Sequence, residues 1–340
     1  MLERLRANRA PLGEHVKGLI YFGIKTGLNE AYIIDRANRD RLVAQDKASS
    51  EIVRPFLRGR DVKRWRTGFA EQYLIKIESS ENKEHPWSRK SQKEAEQVFA
   101  KTYPAVHAHL NGFREALKNR DDQGRFFWEL RSCAYWHEFE GSKVLYPDIY
   151  EHQSFTWDVD GYFAANTCYF IPTKEKWLTA LLNSEAVEWF YSKVSNKIRG
   201  GYLRAFTDYV RQIPVPKASQ PDRTQVECIA DYILWLCQVG GEAPGTKGSR
   251  DAMMSAFFEQ LVNGLVYELY FPDDLHAQKL TLFDYVTREK LPVLADIPKT
   301  QRLARLREIF EQLYASNHPV RGCLFSLKSL EPIRIIEGEK

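Results

Sequence analysis

The chain has 340 residues, of which 44% are hydrophobic, 13% aromatic and 28% charged, the composition of a folded protein rather than a disordered one. Its net charge of +4 is unevenly spread: residues 1–217 hold 35 Lys and Arg against 28 Asp and Glu, a balance of +7, and residues 218–340 hold 14 against 17, a balance of −3, so a polyanion would meet the first two thirds. Five scattered cysteines form no close pair, the eight histidines form no HExxH, and no run of 18 apolar residues exists, which excludes a zinc knuckle, a zinc-protease helix and a membrane-spanning helix. The start, MLERLRANRAPLGEHVKG, lacks the apolar core of a signal peptide, and a reduced, cytoplasmic protein without a structural metal is expected.

In chain order, Gly18–Tyr21 and Ala31–Ile34 alternate on either side of a glycine-bearing stretch and read as a hairpin. Residues 37–57 read as a short helical stretch closing on Pro55-Phe56-Leu57, before the basic run Arg58–Arg66. Tyr73–Ile77 reads as a strand and Ser79–Gln92 as an exposed polar loop. A helical insertion at about 93–120 holds two helices, Lys93–Ala100 and Pro104–Asn119. The second repeats Val106, Leu110, Phe113 and Leu117 at spacings of three and four, with Pro104 in the first turn, where proline costs little. Lys143–Pro147 and Thr167–Ile171 read as strands, and Glu175–Val194 as a helix with Trp177, Leu181, Leu182, Trp189 and Phe190 on its apolar face. Gly200–Phe206 and Ile213–Pro216 make a final edge and exit, and Lys217–Arg223 is the expected boundary. Beyond it lie helices at Thr224–Val239, Asp251–Tyr270 and Gln301–Tyr314, a flexible connector at about 240–250, and a tail after Pro319 read as a strand or irregular chain. The expected class is α+β: a mixed unit, 1–217, followed by a mainly helical one, 218–340.

Three groups of side chains suit a polyanion. Arg58, Arg60, Lys63, Arg64 and Arg66 lie within nine residues, with Trp65 among them and Asp61 the one acid. Such a run is either a solvated surface loop or a loop that grips phosphates and reads bases, because the planar guanidinium fork matches phosphate oxygens and the guanine edge. Gly59 would let the backbone come close. In the second group Lys193, Lys197, Arg199 and Arg204 bracket Gly200 and Gly201; the glycine pair either offers N–H groups to a phosphate or makes a plain turn, and Tyr202 either stacks or covers the sheet. In the third, His152, Gln153, Asn166 and Thr167 have the donors and acceptors to read base edges, though Asn166 and Thr167 serve equally to hold a turn before Cys168.

Catalytic signatures are missing. YFGIKTG, residues 21–27, loosely resembles a nucleotide-binding turn but leads toward a strand. The sequence has no Asn/Asp-Pro-Pro-aromatic tetrad and no GxxxxGK[ST]. Pro147-Asp148, with Glu151 nearby, lacks the Glu-x-Lys of a nuclease centre. No catalytic, cofactor-binding or metal-ligating residue is assigned.

The segments GIKTGLNEAYIID (23–35), IVRPFLRGRDVKRW (52–65), WELRSCAYW (128–136), KVLYPDI (143–149), FAANTCYFI (163–171), LLNSEAVEWFY (181–191), GGYLRAF (200–206) and IPVP (213–216) follow one another in an order that resembles the TaqI-like C-terminal specificity region of type II and IIG restriction–modification adenine-N6 DNA methyltransferases. LVNGLVYELYFPDDL (261–275) is similar to the tail that follows such domains. The resemblance implies a mixed target-recognition domain with a curved sheet and a helical subdomain behind it. Its implied partners are double-stranded DNA and the methylase domain of the same full-length protein, in the prokaryotic cytoplasm. It implies that S-adenosylmethionine and methyl transfer belong to an N-terminal domain outside these residues, and Mg²⁺ only to a nuclease domain. On this reading the DNA contacts are Arg58, Arg60, Lys63, Arg64, Trp65, Arg66, Lys197, Arg199, Gly200, Gly201 and Tyr202, with His152, Gln153 and Arg204 for direct readout. The alternatives are an interaction or scaffold domain that docks a methylase or nuclease subunit through its acidic helical tail, and a complete enzyme of another type.

Overall fold

A computed structural model of the protein describes residues 1–196, 201–240 and 250–338. The continuous apolar run of KVLYP demands a strand covered on both faces, and every residue of Lys143–Pro147 is buried. It lies inside an antiparallel sheet ordered Thr156–Asp158, Lys143–Pro147, Cys168–Pro172, Tyr21–Phe22. Lys143 is the polar exception. Its ammonium sits 2.5 Å from the Asp158 carboxylate with neither side chain exposed, and it also donates to the Phe139 carbonyl. Burial pulls the Lys143 pKa down and pushes that of Asp158 up, each opposed by the other's charge.

A second sheet runs Phe163–Ala164, Val53–Leu57, Gln72–Ile75, Ile33–Asp35, with only its first pair parallel. The hairpin expected over 18–34 therefore does not form. Tyr21–Phe22 joins the first sheet through Tyr169↔Phe22, and Ile33–Asp35 joins the second through Ile34↔Tyr73. A helical turn, Asn29–Tyr32, with Ala31 and Tyr32 buried, separates them. Two short alternating segments gain more from separate multi-stranded sheets than from an isolated ribbon. The helical stretch expected to reach residue 57 ends at Gln45; Asp35 caps it by accepting from the Asn38 N–H at 2.8 Å, and Val53–Leu57 is a sheet strand.

The segment 79–92 is a mostly exposed loop, as expected, but it is anchored. Ser79, Trp87 and Ser88 are buried, and the Trp87 indole donates to the buried Glu129 carboxylate at 2.9 Å. The insertion forms Gln92–Thr102, Pro104–Asn111 and Arg114–Lys118, which deliver Phe99, Val106, Leu110 and Leu117 to the core under the second sheet. The helix expected over 175–194 is two, Trp177–Leu182 and Glu185–Val194. They part at Asn183, whose amide is turned to the Phe155 backbone (3.0 and 2.8 Å), and at Ser184, which caps the second helix.

Pro214–Val215 pairs with Ala10–Pro11, so the exit of the mixed part lies beside its entry. The helices Gln220–Gly240, Arg250–Tyr270 and Arg302–Tyr314 follow the apolar periodicity, and the connector between the first two lies outside the described residues. The tail is helical, Pro319–Leu327 and Glu331–Gly338, not a strand. These helices share one hydrophobic core with Trp177, Leu181, Phe190 and the strand residues Val144 and Tyr146. The architecture is α+β, a mixed part backed by helices. Among the described residues no helix is long and apolar enough to cross a membrane.

Candidate nucleic-acid interface

The basic run Arg58–Arg66 folds as a single turn and a hairpin. The buried Asp61 carboxylate accepts from the Arg58 backbone N–H (2.9 Å), its Nε (2.8 Å) and its Nη2 (3.0 Å), closing the turn and fixing the guanidinium. Val62–Lys63 then pairs with Arg66–Thr67, leaving Arg64 and Trp65 at the tip. That tip points inward. Trp65 adopts φ 63°, its N–H donates to the Phe155 carbonyl at 3.0 Å, and its side chain is 1% exposed. Arg64 places Nε and Nη2 at 3.1 and 2.9 Å from the Glu259 carboxylate on the helix Arg250–Tyr270 and donates to the Gln153 carbonyl. Burial alone would lower the Arg64 pKa, but Glu259, then Glu188 and Glu185, raise it overall. Arg66 has its Nε shielded from solvent and helps lower the Cys237 pKa on the helix Gln220–Gly240, which burial raises more strongly.

The other half of the run lines a cleft of about 780 Å³. Its walls come from segments remote in sequence: Arg58, Arg60 and Lys63; Asp148, Ile149, Glu151 and His152; Asn166 and Thr167; and Tyr202. Hydrogen bonds lock these segments together. The Gly59 N–H donates to Thr167 Oγ1 at 2.9 Å, and a Cβ on Gly59 would lie 2.7 Å from the Thr167 carbonyl oxygen. The close approach that this glycine permits is thus between two parts of the chain. The Asp148 N–H donates to the Thr167 carbonyl (2.9 Å), and the Ala205 N–H to the Asp148 carbonyl (2.8 Å). Leu203–Arg204 pairs with Ile149–Tyr150, which brings the described end of the second basic group to the same cleft.

The structure therefore divides the expected contacts. Arg58, Arg60, Lys63, His152 and Tyr202 meet at the cleft. Among the described residues the exposed side chains of Arg60 and Lys63 have no hydrogen-bond or ion-pair partner, whereas Arg58 is tied to Asp61 and His152 Nδ1 lies 3.1 Å from Glu188. Gly201, φ 85°, holds the left-handed conformation that favours glycine, one residue before Tyr202. Arg204 is half-buried, stacked 5.0 Å over Phe206, and does not line the cleft. Arg64 and Trp65 turn toward the protein instead, and Arg66 is half-buried and does not line the cleft. Gln153 does not line it either, being fully buried between the pinned Phe155 and the Arg64 guanidinium. Lys197, Arg199 and Gly200 lie outside the described residues.

Asp148 and Asn29 were missed as cleft residues, although both sit in segments quoted for the resemblance. Burial raises the Asp148 pKa against the pull of its own amide, Arg204 and the Ile149 amide.

Residues 54–215 match the family model of the TaqI-like C-terminal specificity domain. Apart from Asn29 and Ile33, every residue lining the cleft lies within the match. No curated protein matches the chain. Among solved structures, the Type IIL restriction-modification enzyme MmeI in complex with DNA aligns with a TM-score of 0.46 and 12% identity, covering 86% of this chain and 34% of that one. The chain thus spans about a third of the length of that protein.

The strand Tyr21–Phe22 leads into the four-residue turn Asn29–Tyr32 rather than the long helix of a nucleotide-binding unit. Among the described residues no group of three His, Cys, Asp or Glu side chains could hold a metal ion.

Proposed function

We propose that the specificity domain reads DNA sequence for a restriction–modification enzyme, with the cleft between Arg58–Lys63 and Pro147–Ser154 as its contact surface. The observation that carries this reading is the convergence of Arg58, Arg60, Lys63, His152 and Tyr202 from three distant segments on one concavity. Arg60 and Lys63 can pair with phosphates without breaking an internal contact. Arg58 offers the donors that Asp61 leaves free from a guanidinium already held in place, so little side-chain entropy is lost on binding. Tyr202 is exposed enough to stack. The helix Arg250–Tyr270 supports the surface from behind through Glu259.

In its finer form the proposal makes the full-length protein an adenine-N6 DNA methyltransferase, alone or combined with an endonuclease. The methylase domain, outside these residues, binds S-adenosylmethionine and is the intramolecular partner of this chain; Mg²⁺ enters only with a nuclease. The part described here grips and reads the duplex in the cytoplasm and leaves the target base to the other domain.

Salt titration of binding to duplex DNA tests this reading. Lys and Arg contacts release counterions, so affinity should fall steeply as salt rises. Arg60→Ala with Lys63→Ala should weaken binding and make the log–log slope shallower by about two. Binding that ignores salt, or a slope unchanged in the double variant, overturns the assignment of this cleft.

A further inference from the structure

We propose that Asp148 is a specificity-determining residue that selects cytosine at one position of the target by accepting a hydrogen bond from its exocyclic N4 amino group. The inference rests on the cleft being the DNA-reading surface. Asp148 lines that cleft beside Arg58, Arg60 and Lys63. Among the described residues its carboxylate has no ion-pair partner and no side-chain hydrogen-bond donor. Its backbone is clamped on both sides, by the Thr167 carbonyl at 2.9 Å and the Ala205 N–H at 2.8 Å, and the next two residues are paired with Leu203 and Arg204. The backbone that carries the carboxylate is therefore held in place.

The Asp148 and Ile149 amides and the Arg204 charge favour the carboxylate from within the protein, and on the cleft side an anion repels phosphate and suits a hydrogen-bond donor. DNA presents few. In the major groove cytosine offers its N4 amino group, thymine and guanine offer acceptors, and adenine sets the N7 acceptor beside its N6 donor, where it would repel a carboxylate. Burial already disfavours the charged form of Asp148. A matching amino group relieves that cost, and a carbonyl oxygen in its place leaves two acceptors facing each other without water.

The experiment is base-preference profiling of the full chain, and of Asp148→Asn, on a duplex library, with thermal melting to verify the fold. The parent should prefer cytosine at one position by about tenfold or more. Asp148→Asn, whose amide can donate to a carbonyl, should lose that preference and leave the other positions and the salt slope unchanged. A second measurement needs no variant: replacing that cytosine by 2-pyrimidinone, which lacks the amino group, should weaken binding of the parent by about the same factor. A profile unchanged by Asp148→Asn, or a preference lost at a base other than cytosine, overturns the role of Asp148 while leaving the DNA-reading cleft standing. A parent chain with no base preference anywhere overturns both.

Discussion

Arg60 and Lys63 on one side of a short hairpin, and Arg64 and Arg66 at its tip and return, are chemically alike and almost adjacent, yet they do different work. The first two stand in solvent at the cleft without partners among the described residues, and Arg64 is clamped to Glu259 with both side chains less than a fifth exposed. What separates them is Trp65. Burying its indole pulls the hairpin tip into the protein, and Arg64 must follow. A desolvated guanidinium is tolerable only with a carboxylate beside it, which the helix Arg250–Tyr270 supplies. A cluster of positive charge in a sequence is therefore not a unit of function: part of it can face a ligand while part holds the loop that presents the rest.

Three sets of substitutions probe this division, in order of expected effect. Trp65→Ala empties a fully buried site and should cost about 3–5 kcal/mol of stability, read by chemical denaturation; a loss below about 1 kcal/mol would mean that the tip is not anchored. Arg64→Ala strands the Glu259 carboxylate and should cost about 3 kcal/mol. Adding Glu259→Leu should restore part of it, the signature of a coupled pair in a double-mutant cycle. Arg60→Ala with Lys63→Ala should leave the melting transition nearly unmoved, within about 0.5 kcal/mol per site, since neither side chain holds anything in the folded state. A large destabilisation there would place these two in the same structural class as Arg64 and erase the contrast.

Much was legible without coordinates. The mostly apolar strand Lys143–Pro147, the helices of the insertion and those after residue 217 announce themselves by run length and three-to-four periodicity, which depend on local sequence alone. The two basic clusters were also visible, as runs of Arg and Lys. Which strand pairs with which was not. Tyr21–Phe22 and Ile33–Asp35 alternate as a hairpin would, and only competition from longer strands sends them to different sheets. Nor could residue type show that Trp65 and Gln153 are buried, or that Asp148 shares a cleft with Arg60. Side-chain direction at a hairpin tip, and the meeting of segments about a hundred residues apart, follow from long-range packing, and composition and spacing carry no record of it.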